Sequence, residues 1–146
     1  MSETLKNSGK TPKECALIAA VAADKKKATD LMVQEVGDLI SVTDYFVIAT
    51  AANNRQVEAI VDEIEEALRV EADLKPFGRE GTGDGVWALL DYGSIVVHVF
   101  QPEARDYYRL ETLWNDAPVL DLEKEAGIEN PVYSDRIAKL LGKEER

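Results

Sequence analysis

The sequence predicts an α/β domain built on a single mixed β-sheet flanked by helices, and three observations carry that expectation. Apolar residues recur at i, i+3, i+4 spacing in three separate segments, and β-branched and aromatic runs of strand length fall between them. The order of the pieces is helix, two strands, helix, two or more strands, helix, which suits one sheet covered by helices. A chain of 146 residues, 45% of them hydrophobic, suffices for one domain with a sizeable core.

Residues 1–11 are expected to form a flexible N-terminus, being polar and containing Gly9. Thr11-Pro12-Lys13-Glu14 combines a capping box with proline at the first helical position, so a helix begins there. Cys15, Ile18, Ala19 and Ala22 share one face of it, and Lys25, Lys26 and Lys27 place cations at its negative end. Leu31 to Val36 alternates as a strand, and Asp44 to Ala51, with Tyr45-Phe46-Val47-Ile48 inside it, reads as a central strand. Asn53 or Asn54 can cap the next helix, where Val57, Ile60, Val61, Ile64 and Leu68 make the apolar stripe. Its opposite side, with Glu58, Asp62, Glu65, Glu66 and Arg69, reads as a solvated face, the alternative being an acidic contact surface.

Glycines mark residues 76–85 as a loop that leads into a hairpin, Val86 to Asp91 and Ser94 to Phe100. With Tyr92 and Gly93 as its two loop residues, Trp87 faces His98 and Leu89 faces Val96 on one side of the sheet. Pro102 ends the second strand and starts a helix with Tyr107, Leu110, Glu111 and Trp114 along one face, packed back on the sheet. Pro118 ends the compact region. The domain is therefore placed at residues 12–122, and residues 123–146 are expected to be a charged C-terminal extension with a short helix from Ser134 to Leu141.

Chemistry is sparse. One cysteine, Cys15, excludes an internal disulfide or a thiolate cluster within the chain and reads as a packed thiol in a reducing compartment. His98 is the sole imidazole, so any histidine-dependent catalysis or metal binding would use it; in the apolar run Ile95 to Phe100 it reads as a hydrogen-bonded structural group. Asp91, His98 and Glu80 could in principle perform general acid–base hydrolysis, but no nucleophile sits on a strained elbow and no second histidine offers metal-ligand spacing. Gly93-Ser94 is similar to the Gly-Ser element of nucleotidyltransferases, whose paired aspartates on the next strand are missing. Gly81-Thr82-Gly83-Asp84-Gly85 precedes a strand and lacks the Gly-Lys-Ser/Thr ending of a phosphate loop. Neither cofactor nor metal is expected.

The formal net charge of −11 works against binding a phosphate backbone and suits a basic protein partner. No apolar run reaches membrane-spanning length and no signal-peptide core follows the N-terminus, so a soluble, cytoplasmic protein is expected. Trp87, Tyr92, Tyr107, Tyr108 and Trp114 gather in one third of the chain. Trp114 on its helical stripe reads as core, while Trp87 is open between packing and binding.

Several strings together resemble the ribosomal silencing factor family, also called the Iojap family. They are Thr43-Asp44-Tyr45-Phe46-Val47-Ile48-Ala49-Thr50, Arg55-Gln56-Val57 with Ala59-Ile60, Glu80-Gly81, Trp87 with Leu90-Asp91-Tyr92-Gly93, and Val97-His98-Val99-Phe100. The last is Arg105-Asp106-Tyr107-Tyr108-Arg109-Leu110-Glu111-Thr112-Leu113-Trp114, and the whole runs over residues 14–116. Asn53-Asn54 departs from a usual serine-rich turn, and the tail beyond Leu122 lies outside the shared pattern. The resemblance implies a nucleotidyltransferase-like fold without the active site. It also implies a repressor of translation that is not an enzyme. Such a protein binds the large ribosomal subunit through the ribosomal protein numbered fourteen at the intersubunit face, blocks subunit joining by its bulk, and forms dimers. Carried over, the contact surface falls on Trp87, Asp91, Tyr92 and Gly93, with Glu80 and His98 close by. The alternatives are a nucleotide-handling or hydrolytic enzyme on that fold, and a homodimeric adaptor.

Overall fold

The structure, a computed structural model, describes residues 9–143. The flexible N-terminus expected over residues 1–11 falls largely on residues 1–8, which lie outside the described residues.

Helix α1, Pro12–Lys25, starts where the capping box puts it: Glu14 N donates to Thr11 Oγ1 at 3.1 Å and Thr11 N to Glu14 Oε1 at 2.9 Å. Its buried face is almost all alanine, with Cys15, and small side chains let the helix lie close to the sheet. Strand β1, Thr29–Glu35, begins two residues earlier than expected; Lys27 takes positive φ just before it and Asp30 within it, where the pairing with β2 shifts register. Strand β2, Tyr45–Thr50, is buried on both faces, as a central strand must be. Helix α2, Asn54–Ala72, is capped by Asn53, whose side chain accepts from Gln56 N, and buries its apolar stripe from Val57 to Ala72.

Three further strands complete the sheet: β3, Gly78–Glu80; β4, Trp87–Asp91; and β5, Ile95–Phe100. The order is β1-β2-β5-β4-β3, with β2 and β5 parallel and the other pairs antiparallel, so the sheet is mixed. Strand β3 lies inside the stretch expected to be loop, where glycine masks the β signal.

The hairpin register differs from expectation by two residues. Trp87 pairs with Phe100, Leu89 with His98 and Asp91 with Val96, and Tyr92 N donates to Ile95 O, so the tight loop is Gly93-Ser94. Gly93 at φ 85 takes the left-handed position, which glycine fills without a Cβ clash. A shift of two preserves the faces, and Trp87 and His98 still point to the same side.

That parity divides the core. Tyr45, Val47, Leu90, Tyr92, Ile95, Val97 and Val99 pack under α1 and α2 in the larger cluster. Met32, Val36, Phe46, Ile48 and Phe100 face the other way, with Trp87 and Val96 partly buried beside them.

The helix expected to run from Pro102 through Trp114 is two pieces, α3 (Pro102–Tyr108) and α4 (Leu110–Leu113). Arg109 at φ 48 breaks it, so the stripe is not one face: Tyr107 is 80% exposed, while Glu111 is fully buried.

Beyond Pro118 the chain stays on the domain. Leu120 N donates to Val33 O and Val119 bridges Gln34, extending the sheet past β1. Helix α5, Leu122–Ala126, caps the α1 side with Leu122 and Ile128 in the larger core, and α6, Asp135–Leu140, buries Ile137. The charged extension therefore has an apolar inner side.

Candidate functional site

On the side of the sheet away from α1 and α2, the β4–β5 half is only partly covered. Trp87, Leu89, Asp91 and Val96 are all half-buried there. Alternation places them: odd positions of β4 and even positions of β5 share this face. Strand β3 contributes Glu80, which pairs with Leu89 and is exposed.

Trp87 is held from several directions. Gly81, at φ 74, lies against its carbonyl so closely that a Cβ at that position would stand 1.9 Å from Trp87 O. Only glycine allows that approach. The indole Nε1 donates to His98 Nδ1 at 3.1 Å, and the ring lies 4.7 Å from both Phe100 and Tyr108. Tyr108 in turn meets Tyr107 edge-on at 5.0 Å, and Phe46 meets His98 edge-on at 4.9 Å. Geometries of this kind suit the ring quadrupoles. Together they form an aromatic ridge from the sheet onto α3, ending at the exposed Tyr107.

His98 is 4% exposed. Because Nδ1 accepts from Trp87, the imidazole's own proton sits on Nε2, which is buried without a hydrogen-bond partner. Burial pushes its pKa down to about 3, and the nearby Arg105 guanidinium adds to the effect. The ring is thus a neutral acceptor that aims Trp87, far from the pKa near 7 that a general base needs.

The other residues picked out in the sequence are not gathered into one cluster. Asp91 Oδ1 accepts from Gly93 N at 2.8 Å, so its carboxylate tightens the turn. Neither Asp91 nor Glu80 bonds His98, and the hydrolytic constellation is not assembled. Tyr92 is fully buried on the opposite face, in the core under α1 and α2, and its hydroxyl has no hydrogen-bond partner. It supports the turn from behind and offers no surface. Leu89 and Val96, which the hairpin reading places on the face of Trp87, and Phe46 are not among the contact residues expected from the sequence, although the strand alternation itself signals them. Cys15 is buried, and that burial pushes its thiol up to about 11. Among the described residues no three His, Cys, Asp or Glu side chains converge as metal ligands, and no helix is long and apolar enough to cross a membrane.

Comparison with known proteins shows the family. A family model described as "Ribosomal silencing factor during starvation" matches residues 9–140. A ribosomal silencing factor from Bacillus subtilis is 41% identical over 106 residues, covering 73% of this chain and 89% of the relative. The mouse protein named "Mitochondrial assembly of ribosomal large subunit protein 1" is 34% identical over 92 residues, covering 62% of this chain and 40% of its own length. A crystal structure of a Chromobacterium violaceum protein superposes with a TM-score of 0.69 at 35% identity, over 72% of this chain and 87% of that one. The family match passes Leu122 and takes in most of the packed extension, so the shared pattern continues to residue 140, beyond the limit expected from the sequence. The chain belongs to the ribosomal silencing factor family.

Proposed function

We propose that the chain represses translation by seating its half-covered sheet face on the large ribosomal subunit, through the ribosomal protein numbered fourteen, and obstructing subunit joining by its bulk. The action requires shape complementarity and no bond-making, so the protein works as a cytoplasmic docking module without a cofactor. The observation that carries this reading is the asymmetry of the sheet. One face is sealed under two helices, while the other leaves Trp87, Leu89 and Val96 half-buried beside an aromatic ridge. Half-buried aromatics backed by a rigid sheet are the usual anchors of protein interfaces. Glu80 and Asp91 on that face add negative charge suited to a basic neighbour, and Gly93 lets the turn approach closely. Tyr92 and His98 serve from within, one under the turn and one behind Trp87. Among the relatives, the mouse protein carries the large subunit in its name.

Sedimentation with purified large subunits tests the proposal. Trp87→Ala should lose co-sedimentation, as should Tyr107→Ala, whose side chain is 80% exposed and whose removal leaves the core intact. Circular dichroism and urea midpoints verify that both variants fold. Binding undiminished in both variants overturns the proposal. The nucleotide-handling alternative predicts heat on titration with magnesium and a nucleoside triphosphate; the docking reading predicts none. Association of two copies through the same face would compete with docking, and added subunits would then dissociate the dimer.

A further inference from the structure

Helix α3 carries the outer end of the aromatic ridge, yet it has seven residues and stops at a left-handed Arg109. Helices this short do not hold themselves in water. The support comes from the far end of the chain. Arg136, in α6, donates through Nη1 to Glu111 Oε2 at 2.6 Å, through Nε to Asp106 Oδ1 at 3.1 Å, and through Nη2 to Arg105 O at 3.3 Å. One guanidinium therefore grips α3 and α4 on both sides of the break. Glu111, fully buried, is shared with Arg105 Nε at 2.9 Å, and Arg105 Nη1 reaches Thr50 Oγ1 at the end of β2. Helix α6 is itself moored to β1: Ser134 N donates to Asp30 Oδ1 at 2.6 Å, Asp30 N to Val132 O at 2.9 Å, and Ile137 is fully buried.

We propose that residues 128–143 are a brace for the docking face, with Arg136 as the positioning residue that fixes how α3 presents Tyr107 and Tyr108. The inference rests on the docking reading above and deepens it by giving the extension a task. Lys cannot replace this arginine, because three acceptors are arranged around a planar fork that one ammonium does not span.

The experiment compares Arg136→Gln and Arg136→Lys with the unaltered protein. Charge-assisted hydrogen bonds of this kind amount to about tenfold or more in an equilibrium constant. Amide exchange at residues 107–113 should quicken by about that factor in Arg136→Gln and less in Arg136→Lys, while protection in α2 and β5 stays as before. Affinity for large subunits should fall by about tenfold in parallel. Unchanged exchange at residues 107–113 overturns the brace. Quickened exchange with full binding, in a protein whose Tyr107→Ala variant has lost binding, overturns the positioning role alone. Full binding by both Arg136→Gln and Tyr107→Ala overturns the brace's role in docking, and the docking reading falls with it when Trp87→Ala also binds in full.

Discussion

His98 and Glu111 both sit buried on the same side of the sheet, and acid acts on them in separate windows. The imidazole's folded pKa, depressed to about 3 chiefly by burial and further by Arg105, lies below the 6.5 of an unfolded chain. Between those values the unfolded state takes up a proton that the native state refuses. Stability should therefore fall as pH drops below about 6.5, by up to about 1.4 kcal/mol per pH unit. Glu111 behaves as a carboxylate: burial alone would raise its pKa, but Arg105 and Arg136 outweigh burial and hold it below the ordinary 4.5. What it contributes is present above that value and disappears only in stronger acid. Urea midpoints measured at pH 7 and pH 5.5 thus isolate the histidine, and His98→Gln should flatten the difference. At this scale the sequence was informative about role: a lone imidazole in an apolar strand read as a hydrogen-bonded structural group, which it is. The hairpin reading already set the Trp87 indole, its donor, beside it on the same face, but directly opposite, whereas in the true register the pair lies diagonal.

Elements followed the sequence where their signals were local. The Thr11 capping box, the Asn53 cap and the stripe from Val57 to Leu68 depend on neighbours within one turn, and each stands where its residues put it. The break at Arg109 depends on partners far away. The spacing of Tyr107, Leu110, Glu111 and Trp114 fits a continuous helix, but burying Glu111 between Arg105 and Arg136 requires the chain to turn at Arg109, and nothing within one turn announces Arg136. Strand β3 was hidden for a related reason, since its pairing with β4 is made by backbone and not by β-prone side chains. The break yields a test. Arg109 sits at φ 48, where a β-branched side chain is strained, so Arg109→Val should lower stability by about 1–2 kcal/mol. Arg109→Gly, free of that strain, should hold the urea midpoint near that of the unaltered protein.

For the molecule as a whole, a net charge of −11 sets the far field in which any partner is met. Attraction to a basic protein surface should accelerate encounter and be screened by salt, with a Debye length of about 8 Å at physiological ionic strength. Association rates with large subunits should accordingly fall several-fold between about 50 and 300 mM salt, with dissociation changing little; an association rate indifferent to salt would remove charge from the account of docking. The fold class was readable because helix and strand signals alternated in order along the chain. The extent of the packed body was not, because Pro118 and the charges after it resemble the end of a domain while Leu122, Ile128 and Ile137 point inward.

That last quarter has a bearing on how the protein is made. The outer border of β1 is paired by residues 118–120, and Asp30 N by Val132, so this strand is finished by segments synthesised long after it. At the usual pace of synthesis the interval is on the order of ten seconds. Through that time a nascent chain carries a bare β edge, the kind of surface that invites pairing with a stranger. Emergence of residues 118–132, not hydrophobic collapse alone, closes it.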